Sequence, residues 1–528
     1  MDKKVLDIIR EKGLLIEKEI YDLIEGFNDS SSARAFLEQL ERISGEKMIT
    51  KKVLTKNVGY VKEFVGGLFG EDKKLVEKII FNLGISFELM SEKEPNIEKA
   101  KEEFRTDYKL FYSNTTPDKK LEVKDFVGHF RARFQQLQRV LMHRPELLKN
   151  LVSINKISSE RASFSLIGIV KEKRVTKNKN LIIVLEDLTG EINALVKFDS
   201  GEVFVKAEEL LLDDVIGMRV SGNRDMVFVH DIYFPDSFLF EKTKFDNEVN
   251  IAFISDIHCG SSLHLSKSFN KFIDWLNSEE PSAKKIKYLF VVGDTVDGVG
   301  IFPNQEDFLK LKSMKEQYEL LASYLRRIPK RVTVFIAPGQ HDATRVAEPQ
   351  PVISKRYAPQ LYELENVQLV TNPAMVKLIE GNKEFKVLMY HGASIHSFIN
   401  EIKTLRLARA HRCPAKAVEQ MLKRRHLSPT HGSFAGVYIP NAEEDPLVIS
   451  EVPDVLCTGE VHRLDISNYN GVLIITGSCW QAQTPYEEKV GNEPDPAKVP
   501  VLNLKTRELK IYDFRDKEEV DSEGRWVK

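Results

Sequence analysis

The chain has 528 residues, 42% hydrophobic and 30% charged, with 77 Lys and Arg against 79 Asp and Glu for a formal charge of −2. That length exceeds what one hydrophobic core supports and implies two to four domains, and the near-cancelled charge excludes a uniformly basic nucleic-acid coat, leaving only local phosphate-binding patches. Cys259, Cys413, Cys457 and Cys479 lie far apart with neither a CxxC nor a zinc-ribbon spacing, and no signal-peptide core or run of about 18 apolar residues occurs, so a reduced cytoplasmic setting without membrane insertion is expected.

Residues 1–90 read as a helical module, because Val5, Ile8, Ile9, Leu14, Leu15 and Ile16 fall at roughly helical spacing and residues 29–32 form a capping or turn cluster. A polar linker over 91–124 follows, marked by SEKEPNIEKAKEEF and SNTTPDKK. The run DFVGHFRARFQQLQRVLMHRPELL predicts a connecting helix within 125–150, on which Arg131, Arg133 and Arg139 form either a solvated face or a phosphate contact. Between 151 and 240 the pattern turns to period two in SFSLIGIVKEKRVT, NLIIVLEDLTGEINALVKF, DDVIGMRVSGN and MVFVHDIYFP. About five short strands separated by Gly, Asn and Asp turns predict a small closed barrel, with an OB-fold as the leading form. Such a barrel serves either protein contact or a single nucleic-acid strand.

From 247 to 528 apolar strands alternate with helical stretches, as in VNIAFISD, LSKSFNKFIDWLN, KYLFVVGD and RVTVFIAPG, and the C-terminal VPVLNLKTRELKIYDFRD reads as closing strands. This rhythm predicts α/β layers with working loops at the carboxyl ends of strands. Five such loops carry oxygen or imidazole donors: Asp256 with His258, Asp294 after Gly293, Gln340, His341 and Asp342 after Gly339, His391 before Gly392, and Glu460 with His462 after Gly459. Carboxylate mixed with imidazole suits Mn, Fe or Zn better than Ca, and two such ions clamp a phosphate and activate water. One strand-end Asp or one His is more often a cap or a satisfied polar group than a ligand. Five in this order leave little room for that plainer reading.

The series D-x-H, G-D, G-N-H-D, H-G and G-H-x-H is similar to the signature of the calcineurin-like metallophosphoesterases. DIHCGS, GDTVDG, PGQHDATRVAEPQP, MLKRRHLSPTHG, TGEVHR and GHFRARFQQLQRVL further resemble the small subunits of archaeal family-D DNA polymerases, over most of the chain from about residue 107 to 526. The resemblance implies a multidomain protein: an α/β metallophosphoesterase sandwich preceded by an OB-fold β-barrel and an N-terminal helical module. It implies a 3′–5′ exonuclease subunit that supports a large catalytic polymerase subunit, works on single-stranded 3′ ends and primer-template DNA at the nucleoid, and reaches a sliding clamp or primase through the complex. It also implies two divalent ions (Mn, Mg, Fe or Zn). Asp256, His258 and His462 would hold one ion, Asp294 would bridge, and His391, Gln340 and Glu460 would serve the second. His341 would protonate the leaving oxygen or steady the phosphate.

The sequence departs from that signature at Gln340, where Asn is usual, and at Glu460, where His is usual. Both changes fall on the second ion. They leave either a working but harder site that prefers Mn or Mg, or a weakened site in a scaffold subunit that uses the fold for docking. A stand-alone phosphatase would share the motifs but leave the barrel and helical module unexplained. Asp297 and Asp342 are candidates for orienting ligands or for capping turns, and Arg345, Arg424 and Arg425 for gripping DNA or for ordinary ion pairs. His264, His396, His411, His426 and His431 read as structural or solvated, and Cys259 as a small buried residue.

Overall fold

A computed structural model describes residues 107–519 apart from 114, 116–119 and 433–436, with isolated positions between 9 and 50. The chain forms two units, Met1–Glu103 and Phe104–Lys528. In the first, Leu15–Ile16 and Met48–Ile49 pair as short parallel strands, and the helical module expected over 1–90 otherwise lies outside the described residues.

The second unit opens with strand β1 (Tyr108–Tyr112) and helix α1 (Val123–Leu141). The strands β2 (Ala162–Val175), β3 (Leu181–Asp187), β4 (Gly190–Val196), β5 (Val215–Gly222) and β6 (Val227–Tyr233) then close into a barrel in the order β2-β3-β4-β6-β5. Strand β2 serves both ends of the closure, pairing with β5 along its first half and with β3 along its second, across a register shift between Val170 and Glu172. Gly168 makes that crossing feasible, since a Cβ there would stand 2.5 Å from Leu185 Cγ and 2.7 Å from Glu186 O.

After the barrel come β7 (Asn250–Ile254), α2 (Ser266–Leu276), β8 (Ile286–Val292), α3 (Met314–Leu325), β9 (Thr333–Ala337) and β10 (Val367–Leu369). Then follow β11 (Ala374–Glu380), β12 (Lys383–Met389), α4 (Ile395–Glu401), α5 (Ala415–Arg424), β13 (Val455–Thr458), β14 (Asp465–Tyr469), β15 (Val472–Thr476), β16 (Lys498–Asn503) and β17 (Leu509–Asp513). Two six-stranded sheets result, in the orders β10-β9-β8-β7-β16-β17 and β14-β15-β13-β12-β11-β1. Strands β7 to β10 run parallel, as do β12, β13 and β15.

Strands β7 and β9, NIAFI and TVFIA, are buried at every residue, as strands covered on both faces must be. Between the sheets Phe253, Phe290 and Phe335 meet Phe385, Val387, Met389 and Ile475. Phe269, Phe272, Tyr318 and Leu321 of α2 and α3 cover the outer face of the first sheet, and Phe398, Met421 and Leu422 of α4 and α5 cover that of the second. The resulting helix-sheet-sheet-helix stack has each buried Phe contributing about 1.5–3 kcal/mol. Its consequence is that the carboxyl ends of both parallel sets open on one edge.

Two expectations change. The segment expected as a polar linker contains β1, which extends the second sheet antiparallel to β11, from Tyr112 opposite Ala374 to Tyr108 opposite Leu378. Tyr108 and Leu110 pack on the sandwich core while Lys109 and Phe111 are exposed, a pattern too short to stand out beside the polar run. The helix expected within 125–150 closes at Leu141, and a separate turn, Pro145–Leu148, follows. Pro145 has no N–H to continue it.

Arg133 is neither solvated nor offered to phosphate. It is fully buried, and its Nε donates to Asp445 Oδ2 at 2.6 Å, with His426 Nε2 at 2.7 Å and His129 Nε2 at 3.3 Å from the same oxygen. Burial would raise the Asp445 carboxyl, but Arg133, His426 and His129 hold it well below the usual range. Burial, then the Arg133 charge, push His426 down to about 4. Among the described residues no helix is long and apolar enough to cross a membrane.

Candidate metal centre

The loops after β7, β8, β9, β12 and β13 converge where the parallel strands end. Five donor residues sit in the left-handed region: Asp256 (φ 50°), His258 (49°), Asp294 (45°), Glu460 (72°) and His462 (57°). Such backbone costs on the order of 1 kcal/mol or more per non-glycine residue and persists only where neighbours enforce it. Here the enforcement is reciprocal. Asp256 N donates to Gly293 O at 3.1 Å, His258 N to Asp294 O at 3.1 Å, and Glu460 N to Asp256 Oδ1 at 3.1 Å. Gly293 and Gly339 permit the close approach, because a Cβ on the first would lie 2.0 Å from His391 Nδ1 and on the second 2.2 Å from Asp294 Oδ1.

Three donor groups follow, each with ligand atoms within 4.8 Å of one another: Asp256, His258 and His462; Asp256, Asp294 and His391; and His258, Asp297 and His341. In the first, His258 Nδ1 faces Asp297 Oδ1 at 3.1 Å and His462 Nδ1 faces Glu487 Oε1 at 3.0 Å. A proton on each Nδ1, facing its carboxylate, would leave the two Nε2 lone pairs, 3.1 Å apart, turned inward as ligands for a cation. In the second, His391 Nδ1 donates to Val292 O at 3.1 Å, and its Nε2 faces Asp294 Oδ2 at 3.3 Å and Glu460 Oε2 at 3.2 Å. Asp256 Oδ2 and His391 Nε2 are buried without a hydrogen-bond partner. Unpartnered lone pairs in a buried cluster are costly unless a cation joins them. The residues therefore fit divalent ions.

Electrostatics agree with that design. Burial opposes charge on His391, yet Asp294 and Glu460 raise its pKa well above the ordinary value. Burial likewise opposes charge on His462, but Glu487 and then Asp256 lift it to about 9. Burial raises Asp256, whereas His391 and His341 overcome burial at Asp294 and hold it well below the usual carboxylate range.

Of the residues singled out in the sequence, Asp256, His258, Asp294, His391, Glu460 and His462 come together here. His341 lies beside them, its N donating to Asp294 Oδ1 at 2.9 Å, its Nδ1 to Asp297 O at 2.6 Å, and its Nε2 3.8 Å from Asp294 Oδ2. Gln340 is half-buried on the same loop. Asp297 orients His258, and Asp342 accepts from Gly339 N at 2.9 Å, Thr295 N at 3.1 Å and Tyr318 OH at 3.0 Å, tying two ligand loops together.

The arginines considered for DNA are engaged elsewhere. Arg424 Nε meets both Asp214 oxygens at 3.0 and 3.1 Å, Arg425 donates to Ile449 O and Ser450 O, and Arg345 to Ala347 O and Pro349 O. His264 bonds Ile257 O at 2.9 Å and Tyr324 OH at 3.3 Å, a structural role. Glu487, and Asn372, whose Oδ1 accepts from His391 N at 2.9 Å, escaped the sequence reading because they lie outside the strand-end motifs.

Residues 251–464 match the family model of the B-subunits of DNA polymerases alpha and epsilon. A DNA polymerase II small subunit of Pyrococcus horikoshii is 33% identical over 513 residues, covering 95% of this chain and 80% of that one. The chain belongs to the archaeal DNA polymerase II small-subunit family. A further small subunit, from Methanothermobacter thermautotrophicus, is 36% identical over 74% of this chain and 80% of its own. The Pyrococcus furiosus small subunit is 38% identical over 74% of this chain, which spans only 64% of that relative's length. Among solved structures, an archaeal phosphodiesterase aligns over 50% of this chain and 99% of its own at 12% identity and a TM-score of 0.25, too low to carry an argument.

Proposed function

We propose that this small subunit supplies a heteromeric archaeal replicative DNA polymerase with metal-dependent 3′–5′ exonuclease activity while supporting a large catalytic subunit. The observation that carries the reading is the pair of inward-facing imidazoles, His258 Nε2 and His462 Nε2 at 3.1 Å, beside the unpartnered Asp256 Oδ2 and His391 Nε2. Asp256, His258 and His462 would hold one ion, Asp294 both, and His391, Glu460 and Gln340 the second, with Mn, Mg, Fe or Zn as candidates. Two ions so held would neutralise phosphodiester charge and activate a water.

The chain's own groups supply the rest. His341, anchored through Nδ1 to Asp297 O, has its Nε2 3.8 Å from Asp294 Oδ2, beside the donor cluster. Burial opposes its charge, but Asp294 and the Asp297 carbonyl raise its pKa, which favours the protonated ring that a donor to the leaving 3′ oxygen would need. Asp297 and Glu487 fix the two imidazoles from behind.

Around this centre we read a calcineurin-like metallophosphoesterase domain over 247–528 whose second sheet β1 extends, a connecting segment made of α1 and the turn Pro145–Leu148, and an OB-fold over 151–240, supported by the closed order β2-β3-β4-β6-β5 with β4 and β6 parallel. Single-stranded 3′ ends would be the substrate, at the nucleoid, with a clamp or primase reached through the complex. The test is a 3′-labelled single strand incubated in Mn²⁺ beside an aryl phosphate monoester. Release of mononucleotides from the 3′ end is expected. Turnover of the monoester with the DNA intact would overturn the reading.

A further inference from the structure

Glu460 is held from two sides. Its Oε2 lies 3.2 Å from His391 Nε2, and its Oε1 lies 3.5 Å from His396 Nε2, so one carboxylate spans two imidazoles. His396 stands on α4, five residues after His391, and its side chain is 32% exposed against 13% for Glu460 and none for His391. His411 packs against the His396 ring at 5.4 Å between centroids and 33° between planes. Neither histidine belongs to the strand-end donor groups.

A Glu side chain has three rotatable torsions and loses rotamer freedom when fixed. Position 460 also sits at φ 72°, so its backbone gives the side chain no ordinary helical or strand support. A donor on the far oxygen is the available means of aiming the near oxygen at His391 and Asp294. We propose that His396 is a positioning residue that holds the Glu460 carboxylate in the second-ion position, with His411 bracing it, so that Glu460 and His396 act as a unit. The proposal rests on the two-ion reading above and deepens it.

The test is Mn²⁺ titration of the full chain by calorimetry, with electron paramagnetic resonance to detect a spin-coupled ion pair. Wild type is expected to take up two ions and show coupling. His396→Ala should keep the first ion, weaken the second by about 10–100-fold and lose the coupled signal, with metal-free melting unchanged. His396→Gln, which retains a donor, should recover most of the affinity, and His396→Ala should have no further effect in a Glu460→Ala background. Two ions bound by His396→Ala as tightly as by wild type would overturn the role of His396 alone. Fewer than two ions in wild type would overturn the two-ion reading and this proposal with it.

Discussion

His258 Nε2 and His462 Nε2 face each other at 3.1 Å, although 204 residues separate them in the chain, and each ring is held from behind by a carboxylate, Asp297 for one and Glu487 for the other. Two imidazole lone pairs so placed repel unless a proton or a cation lies between them. Mn²⁺ is therefore expected to stabilise the chain, by about 2.7 kcal/mol per ion at one hundred times its dissociation constant. Thermal melting with Mn²⁺ and then with a chelator checks this. His462→Ala should lose the first-ion part of the gain, and an identical midpoint with and without metal would contradict it.

Gly293→Ala should damage the same site from the backbone. At φ 78° an alanine is strained, and its Cβ would meet His391 Nδ1 at 2.0 Å. A loss of about 2–4 kcal/mol is expected from strain and displaced packing together, along with the second ion. Denaturant unfolding and Mn²⁺ titration of the variant report both, and wild-type values in either would count against the geometry.

Away from the site, Arg133 and Asp445 form a buried pair joining α1 to the sandwich. Arg133→Met should cost about 3–5 kcal/mol, because it leaves a buried carboxylate without its principal partner. The double change with Asp445→Asn should cost less than the two single losses added. Strict additivity in a double-mutant cycle would show that the pair is not coupled.

Acid should destabilise the fold through two buried neutral histidines. Burial pushes His264 and His426 down to about 4, whereas in the unfolded chain both titrate near 6.5. Between those values the unfolded state binds the extra protons. The contribution of these two histidines is thus full above about pH 6.5 and falls as pH drops towards 4, by up to about 3 kcal/mol for each. Urea unfolding from pH 7 to 4.5 measures the slope, and His426→Gln should flatten it. A stability independent of pH across that window would contradict the assignment.

Much of this architecture was legible in the sequence because the signals are local. The apolar runs of β7, β8 and β9 each precede a Gly or Asp loop, and the donors Asp256, His258, Asp294, His391 and His462 follow strand ends within a few residues. What stayed hidden depends on contacts distant in the chain. Arg133 looked solvated because its partner Asp445 lies 312 residues away. Strand β1 has two inward residues, too few for a periodic signal, and Glu487 becomes relevant only when the short helix Pro485–Val490 brings it to His462. The sequence leaves Glu460 open between a ligand of a harder site and the mark of a weakened one, and His396 against its other oxygen comes into view only in the fold.

The most direct measurement is exonuclease activity of the full chain bound to its large partner, on a 3′-labelled single strand in Mn²⁺ or Mg²⁺, beside His341→Ala. The account predicts stepwise shortening by the wild-type complex and a loss of about 10²–10⁴-fold in the variant, with metal uptake and partner binding intact. No shortening in either metal, with the complex assembled and ions bound, would contradict it and leave the centre as a structural remnant in a scaffold subunit.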